Sequence, residues 1–511
     1  MQTKEYALTE SSDRLEFRGG IIGALIAPAV FLVGVIAYFV IFRVFDMNAL
    51  TAAGLAGLLI AALFAKRYSK FWDSVMIGVS STPSITLLLI LLAVSLISAL
   101  INQTGVSGGF VWLAGNLGVT GGWFVVVTFI MVCAIAMSTG TSIGTLFTAF
   151  PIFYPAGVML GADPLLLAGA ILSGALFGDN LAPISDSTIV SSSTQKYRNR
   201  AGSAEIGGVV RSRAKYALVA AGISAVLFLG VGLLRSQASS ASPVEIDLTG
   251  TSPLSLVMLV PIALLLFVAF WKRDIFLATT VGLLSGTALG LLTGLLKFSD
   301  IMSANEDGTP GGFLVGGIQN IIPLIGLGIV IFGMIGVLQE AGVFDLIVNA
   351  AAKSAFASTP KGAELTIGLG ALLTAGIFAG VNGPSMIMFG PVADRIGARA
   401  GLHPFRRANV MDCFTLGLGS VVPIVSSFLL IASLLTQGHD GAPALDPPAI
   451  FLTAFYPLVL TLVILFAVLS GWGRRFEGGN GEELKSPLSP EEAELALQPE
   501  PERELVADLT D

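Results

Sequence analysis

The sequence predicts an all-α, polytopic membrane protein of about ten transmembrane helices, laid out as two inverted repeats that each hold a re-entrant hairpin and a broken helix. Three observations carry that expectation. Of 511 residues, 54% are hydrophobic and 12% charged, and the mean hydropathy is +0.85. Apolar runs of about 20 residues, enough to cross a hydrocarbon core of about 30 Å, recur along the chain. Short polar stretches rich in Gly, Pro, Ser and Thr then interrupt some of these runs at corresponding places. Sixty glycines suit close helix packing and broken helices.

In chain order, residues 1–19 are polar and read as a cytoplasmic segment. The apolar run after Arg18 has no small-residue cleavage site, so it reads as a retained span. Residues 20–235 form the first repeat, with spans at 20–42, 48–64, 77–101, 164–192 and 213–235. An interrupted stretch at 121–160 is broken at Ser138-Thr139-Gly140-Thr141-Ser142. Residues 236–252 link to the second repeat, 253–471, with spans at 253–271, 275–296, 318–339, 404–436 and 450–471. Its interrupted stretch, 363–398, breaks at Gly380-Val381-Asn382-Gly383-Pro384-Ser385. Two half-length helices joined by a polar tip read as a re-entrant hairpin, since bare backbone is tolerated at membrane depth only where protein or a cavity satisfies it. Residues 472–511, rich in Glu and Pro, read as an acidic, disordered cytoplasmic tail.

The repeat shows in sequence as Leu100-Ile101-Asn102-Gln103-Thr104-Gly105-Val106 against Val337-Leu338-Gln339-Glu340-Ala341-Gly342-Val343. Nearly the same spacing sets Asp179 on Asp412 and Pro151 on Pro384. Five crossings per half would invert the second half, which puts a site at the midplane between them. Charge supports the topology. Lys66, Arg67, Lys70, Lys196, Arg198, Arg200, Arg211, Arg213, Lys272, Arg273, Arg395, Arg399, Arg406, Arg407, Arg474 and Arg475 all fall on one side, while 102–120 is uncharged. Both termini are therefore expected in the cytoplasm of a cell with a bacterial-type plasma membrane.

The chemistry is expected at Gly178-Asp179-Asn180-Leu181-Ala182-Pro183-Ile184-Ser185-Asp186. A carboxylate at the membrane centre costs about 2.5–3.5 kcal/mol on insertion scales, so one retained there has a use or a partner. Gly178 and Pro183 open the helix and free carbonyls that can coordinate a cation. The candidate ion-binding residues are Asp179, Asn180, Ser185 and Asp186 at this break, with Thr141 and Ser142 at the first tip. Asn382 and Ser385 at the second tip join them, as does Asp412 through the duplication. Asp179 and Asp186 are the expected Na⁺ ligands, hard oxygens suiting that ion. Pro423, Ser426 and Ser427 mark the second broken helix. No Lys or Arg is expected at tips or breaks. Cys133 and Cys413 have no metal or redox spacing.

No GxxxxGK[ST] occurs, so ATP does not drive the cycle, and no enzyme motif, cofactor site or nucleic-acid surface is read. The partners expected are Na⁺, H⁺ and membrane lipid, with a homodimer as a compatible assembly. Gly178 to Thr188 resembles the Gly-Asp-x-x-Ser-Pro-x-Ser-Asp-Thr-Thr signature of NhaC-type sodium/proton antiporters, departing from it at Ala182 and Ser187. Gly140-Thr141-Ser142-x-Gly144-Thr145 resembles that family's Gly-Thr-Ser-x-Gly-Thr. The resemblance implies an ion-transporter superfamily fold and exchange of internal Na⁺ for external H⁺. It leaves open the alternative of a Na⁺- or H⁺-coupled exchanger or symporter of a small organic acid, malate/lactate type, or of an amino acid. A channel or membrane scaffold is the reading from another class, and hairpins that close a site argue against a continuous pore.

Overall fold

The computed structural model describes residues 14–489 and 492, apart from 43–45, 117–120, 240–252, 273, 306–307, 344–345, 347–356, 358, 379, 424–425, 438 and 440–441. The linker expected at 236–252 and the last residues of the tail lie largely outside the described residues. In the first half the helices are α1 Ile26–Ile36, α2 Met47–Phe64, α3 Tyr68–Val79, α4 Thr82–Gln103 and α5 Val106–Asn116. They continue as α6 Gly121–Thr139, α7 Ser142–Met159, α8 Pro164–Leu181, α9 Asp186–Ser193 and α10 Ile206–Ser239. The second half holds α11 Leu259–Lys272, α12 Ile275–Thr293, α13 Phe313–Glu340, α14 Pro360–Ile377 and α15 Asn382–Arg399. It closes with α16 Pro404–Leu416, α17 Ser427–Leu435, α18 Pro447–Thr453 and α19 Phe455–Ser470.

The chain is an all-α polytopic membrane protein. Among the described residues seven helices are long and apolar enough to cross a membrane, or up to nine with each bent pair taken as one span. The expected ten include the second broken helix, whose pieces of 13 and 9 residues are too short on their own. Both interrupted stretches are helix pairs, α6–α7 and α14–α15, and both broken helices are broken, α8–α9 and α16–α17. Two helices were not expected. α3 is too polar and short to read as a span; it buries Phe71, Ser74, Val75 and Gly78, and a methyl on Gly78 would stand 2.8 Å from the Gly336 backbone of α13. α5, 11 residues long, follows α4 after a break at Thr104-Gly105 and is bent by 53° from it. The span expected at 450–471 bends by 55° at Ala454. Pro457 has no N–H to return to the Thr453 carbonyl, so the helix is weakest there.

The spacing of the two halves differs from the sequence expectation. Ser142 and Asn382 each open the second arm of a hairpin, and Pro164 and Pro404 each open a broken helix. The spacing is 240 in both cases (382 − 142 and 404 − 164). Pro183 and Pro423 keep it, as do Pro151 and Pro391. On this register Asp179 corresponds to Gly419 and Asp412 to Leu172, so the two aspartates are not equivalent positions. The sequence match was set by a loop whose length differs between the halves by about three residues.

The acidic tail expected from 472 begins later. Phe476–Glu477 pairs antiparallel with Glu483–Leu484, and Phe476 bridges to Leu402. Glu477 is buried and accepts from the main-chain N–H of Arg198 at 2.6 Å and of Asn199 at 3.0 Å. Composition averages over this segment and misses that one acid meets Arg407.

Candidate functional site

α8 begins in regular helical fashion: Asp163 caps Leu166 N–H at 2.8 Å and Pro164 sits in its first turn. It ends at Ala182, whose extended ψ of 125° is the conformation forced on a residue before proline. Facing this break is the tip between α6 and α7. Gly140 there has φ +67°, and a methyl on it would lie 2.5 Å from Ile184 Cγ1, so only glycine lets the tip seat against the break. Gly178 serves the same purpose a turn before the break, where a methyl would fall 2.1 Å from Ala136 Cβ of α6.

That packing delivers three elements to one carboxylate on α8. Asp179 is 7% exposed. Ser142 Oγ, at the start of α7, donates to Asp179 Oδ2 at 2.7 Å. Ser185 Oγ, at the start of α9, donates to Oδ1. Ser187 Oγ lies 2.8 Å from Ser185 Oγ and 3.3 Å from Oδ1. From the other half of the chain, Asn382 Nδ2 reaches Oδ2 at 3.4 Å, while Asn382 Oδ1 accepts from Ser420 Oγ at 2.9 Å. Asp179 has no basic partner among the described residues. It faces a cavity of about 500 Å³ lined also by Thr141, Ser142, Asp186, Asn382 and Phe428. The hydroxyls that donate to the carboxylate keep their lone pairs, so the arrangement offers one carboxylate plus neutral oxygens, a donor set that suits a hard cation.

The other expected residues fall in three groups. Asp186 opens α9 and is exposed to the same cavity, where the helix N-terminus favours its charge. Thr141 caps α7 and lines the cavity. Ser385 does not join them: its hydroxyl turns back to the Asn382 carbonyl at 3.2 Å.

Asn180 and Asp412 belong to a second, separate cluster behind the break. Asn180 Nδ2 donates to Asp412 Oδ1 at 2.8 Å, and Tyr456 hydroxyl donates to Asn180 Oδ1 at 3.0 Å. Asp412 pairs with Arg213 at 2.9 Å, both side chains being 0% exposed. Arg213 also donates to the Asn180 carbonyl at 2.8 Å, to Thr188 Oγ1 at 3.0 Å and to Ser191 Oγ at 3.0 Å. This corrects the expectation that no basic residue reaches a break. Arg213 stands at the polar edge of an apolar run, where its position reads as a topology signal, yet α10 starts two turns earlier and carries it inside. Its guanidinium satisfies the carbonyl that the end of α8 leaves open. Sequence reading also missed Ser420, which steadies Asn382, and Glu364, a fully buried acid held by Arg406 at 2.8 Å and Arg474 at 2.8 Å.

No group of three or more His, Cys, Asp or Glu side chains suited to a resident metal occurs among the described residues. A membrane bundle that offers one uncompensated carboxylate to a cavity at a helix break has the means to bind and release an ion. The chain is a multi-pass secondary active antiporter. Residues 15–233 match the model of the Na⁺/H⁺ antiporter family.

Individual relatives agree on the class. The chain is 28% identical over 347 residues to a malate-2H(+)/Na(+)-lactate antiporter of Bacillus subtilis, covering 64% of this chain and 70% of that one. It is 24% identical to the Na(+)/H(+) antiporter NhaC of Alkalihalophilus pseudofirmus, covering 57% and 64%. A match at 25% identity to the arginine/ornithine antiporter ArcD of Halobacterium salinarum covers 42% and 46%. The chain thus spans between 46% and 70% of the length of these relatives.

Proposed function

We propose that the chain exchanges internal Na⁺ for external H⁺, and that Asp179 carries the ion and the proton in turn. The observation that bears most weight is the setting of Asp179: buried, held by hydroxyls and an amide, and without a basic partner among the described residues. A bare carboxylate is unfavourable in such a place, so it holds either a proton or a cation. Because one group cannot hold both, filling the site with Na⁺ releases H⁺. When the site is then presented to the other face, the two flows are coupled without a nucleotide. Ser142, Ser185 and Ser187 would supply the neutral oxygens, Asn382 would steady the carboxylate through its amide N–H, and Asp186 would draw cations to the cavity mouth. The Arg213–Asp412 pair would hold the break in shape.

The named substrates of the relatives include organic acids and amino acids, but the lining of this cavity supports a small cation. Among the described residues it contains no Lys or Arg to meet a substrate carboxylate, and Arg213 is already committed to Asp412 and four other oxygens. The inverted arrangement of the halves and a cytoplasmic location of both termini follow from the charge bias and belong to the same proposal. Purified protein in vesicles carrying a pH-sensitive dye tests it. Na⁺ should cause saturable proton movement, while malate, lactate, arginine and K⁺ cause little. Proton movement driven by an organic acid in the absence of Na⁺ would replace this reading.

A further inference from the structure

A second cavity, of about 300 Å³, lies on the interface of α4 and α13, near the far end of α17. Its walls mix apolar side chains such as Phe147, Ile321 and Leu434 with polar ones that carry no carboxylate, Lys or Arg among the described residues: Ser95, Ser98 and Asn102 from α4, Gln319 and Asn320 from α13, and Gln437 and His439 past α17. Between it and the Asp179 cavity sits a packed apolar layer of Leu91, Leu324, Leu327, Leu430 and Ile431, all buried. The void within that layer is about 20 Å³, room for one water at most and none for a hydrated ion.

The order along the helices shows that these three places form a line. On α4, Ile90 borders the Asp179 cavity, Leu91 the apolar layer, and Ser95, Ser98 and Asn102 the polar cavity. On α17, Phe428 borders the Asp179 cavity, Leu430 and Ile431 the layer, and Leu434 and Leu435 the polar cavity. α13 runs the other way, with Leu327 and Leu324 in the layer and Pro323, Asn320 and Gln319 beyond it. From Ile90 to Ser98 the helical rise is about 12 Å. Asp186 is exposed and lines the Asp179 cavity.

We infer that the polar cavity is a waiting site for a hydrated monovalent cation on the second access route to Asp179, and that the Leu91–Leu324–Leu430 layer is the gate closed across it. Amide and hydroxyl oxygens can replace some of a hydration shell without the charge that would trap the ion. The apolar layer excludes it until α4, α13 and α17 separate. This inference rests on the proposed ion exchange at Asp179 for its ligand, but its geometry is tested separately.

On a background without Cys133 and Cys413, Ser98→Cys should react with a membrane-impermeant cationic thiol reagent from the face that carries residues 103–116. Modification there should stop exchange. Ile143→Cys, in the Asp179 cavity, should react from that face at least about tenfold more slowly, and Leu91→Ala with Leu430→Ala should raise its rate by about tenfold or more, since large-to-small changes in a packed layer loosen it. If the paired alanine protein does not fold, Ser98→Trp serves instead, and exchange should be lost with insertion unchanged. An unaltered Ile143→Cys rate in a folded gate variant, or full exchange after modification at Ser98→Cys or with Ser98→Trp, overturns the gate. Neither outcome depends on Asp179 being the exchanging group. Should Asp179→Asn retain exchange while the labelling pattern holds, the route stands and the ion site must be sought elsewhere.

Discussion

Asp179 and Asp412 are both buried aspartates beside the same helix break, yet their surroundings differ in one respect. Asp412 faces the Arg213 guanidinium at 2.9 Å, whereas Asp179 faces Ser142, Ser185 and Asn382. The first is neutralised permanently and has no need of a mobile ion. The second is solvated by neutral groups only and must be neutralised by something that comes and goes. Charge compensation, rather than burial, separates the acid that braces the break from the one proposed to carry the ion.

The comparison breaks most visibly under substitution. Asp179→Asn is expected to abolish Na⁺-dependent proton movement while insertion and thermal stability stay near those of the parent, since the amide keeps the shape and still meets Ser142. Assays in vesicles with matched protein content check both. Arg213→Gln should do the reverse, acting first on stability. Leaving Asp412 buried without its partner costs about 3–5 kcal/mol, and adding Asp412→Asn should recover a large fraction of that. A shift in detergent melting temperature reads the effect, and a single variant as stable as the parent would mean the pair does not brace the break.

Smaller effects are expected at the C-terminal segment. A stop after Gly479 removes the Glu483–Leu484 strand and the Gly481 carbonyl that His403 Nε2 approaches at 3.1 Å. About 1–3 kcal/mol of stability should go with those contacts, while a stop after Ser489 should change the melting temperature little. The least effect is in pH. Burial holds His403 below its ordinary value of 6.5, against the pull of the Gly481 carbonyl, Glu483 and Glu477. A group with a lowered folded value contributes fully above the unfolded value and loses that contribution as pH falls through 6.5 toward the folded one. The melting temperature should therefore drop on acidification below about pH 6.5, and His403→Gln should flatten that stretch of the profile.

How much of this was legible in the sequence follows from the range of the interactions. The hairpins and the breaks could be read because Gly140, Pro183 and Pro423 act on their own backbone. Asp179 could be read because a carboxylate beside Gly and Pro in an apolar run is a local anomaly. Asp412 could not be sorted from it, because its partner lies on another helix, at Arg213, and ion pairing leaves no local mark. The duplication was visible but misregistered by several residues, since a loop match outweighed the helix starts at Pro164 and Pro404. Glu477 failed for the opposite reason: an acidic composition hid one side chain with a buried cationic partner.

The central claim is that Asp179 holds a proton or a Na⁺ and never both. Addition of Na⁺ to purified protein in weakly buffered detergent tests it most directly, with proton release followed by a pH indicator. Na⁺ should release protons from the parent and from Ser385→Ala, and none from Asp179→Asn. Proton release of parental size from Asp179→Asn would contradict it.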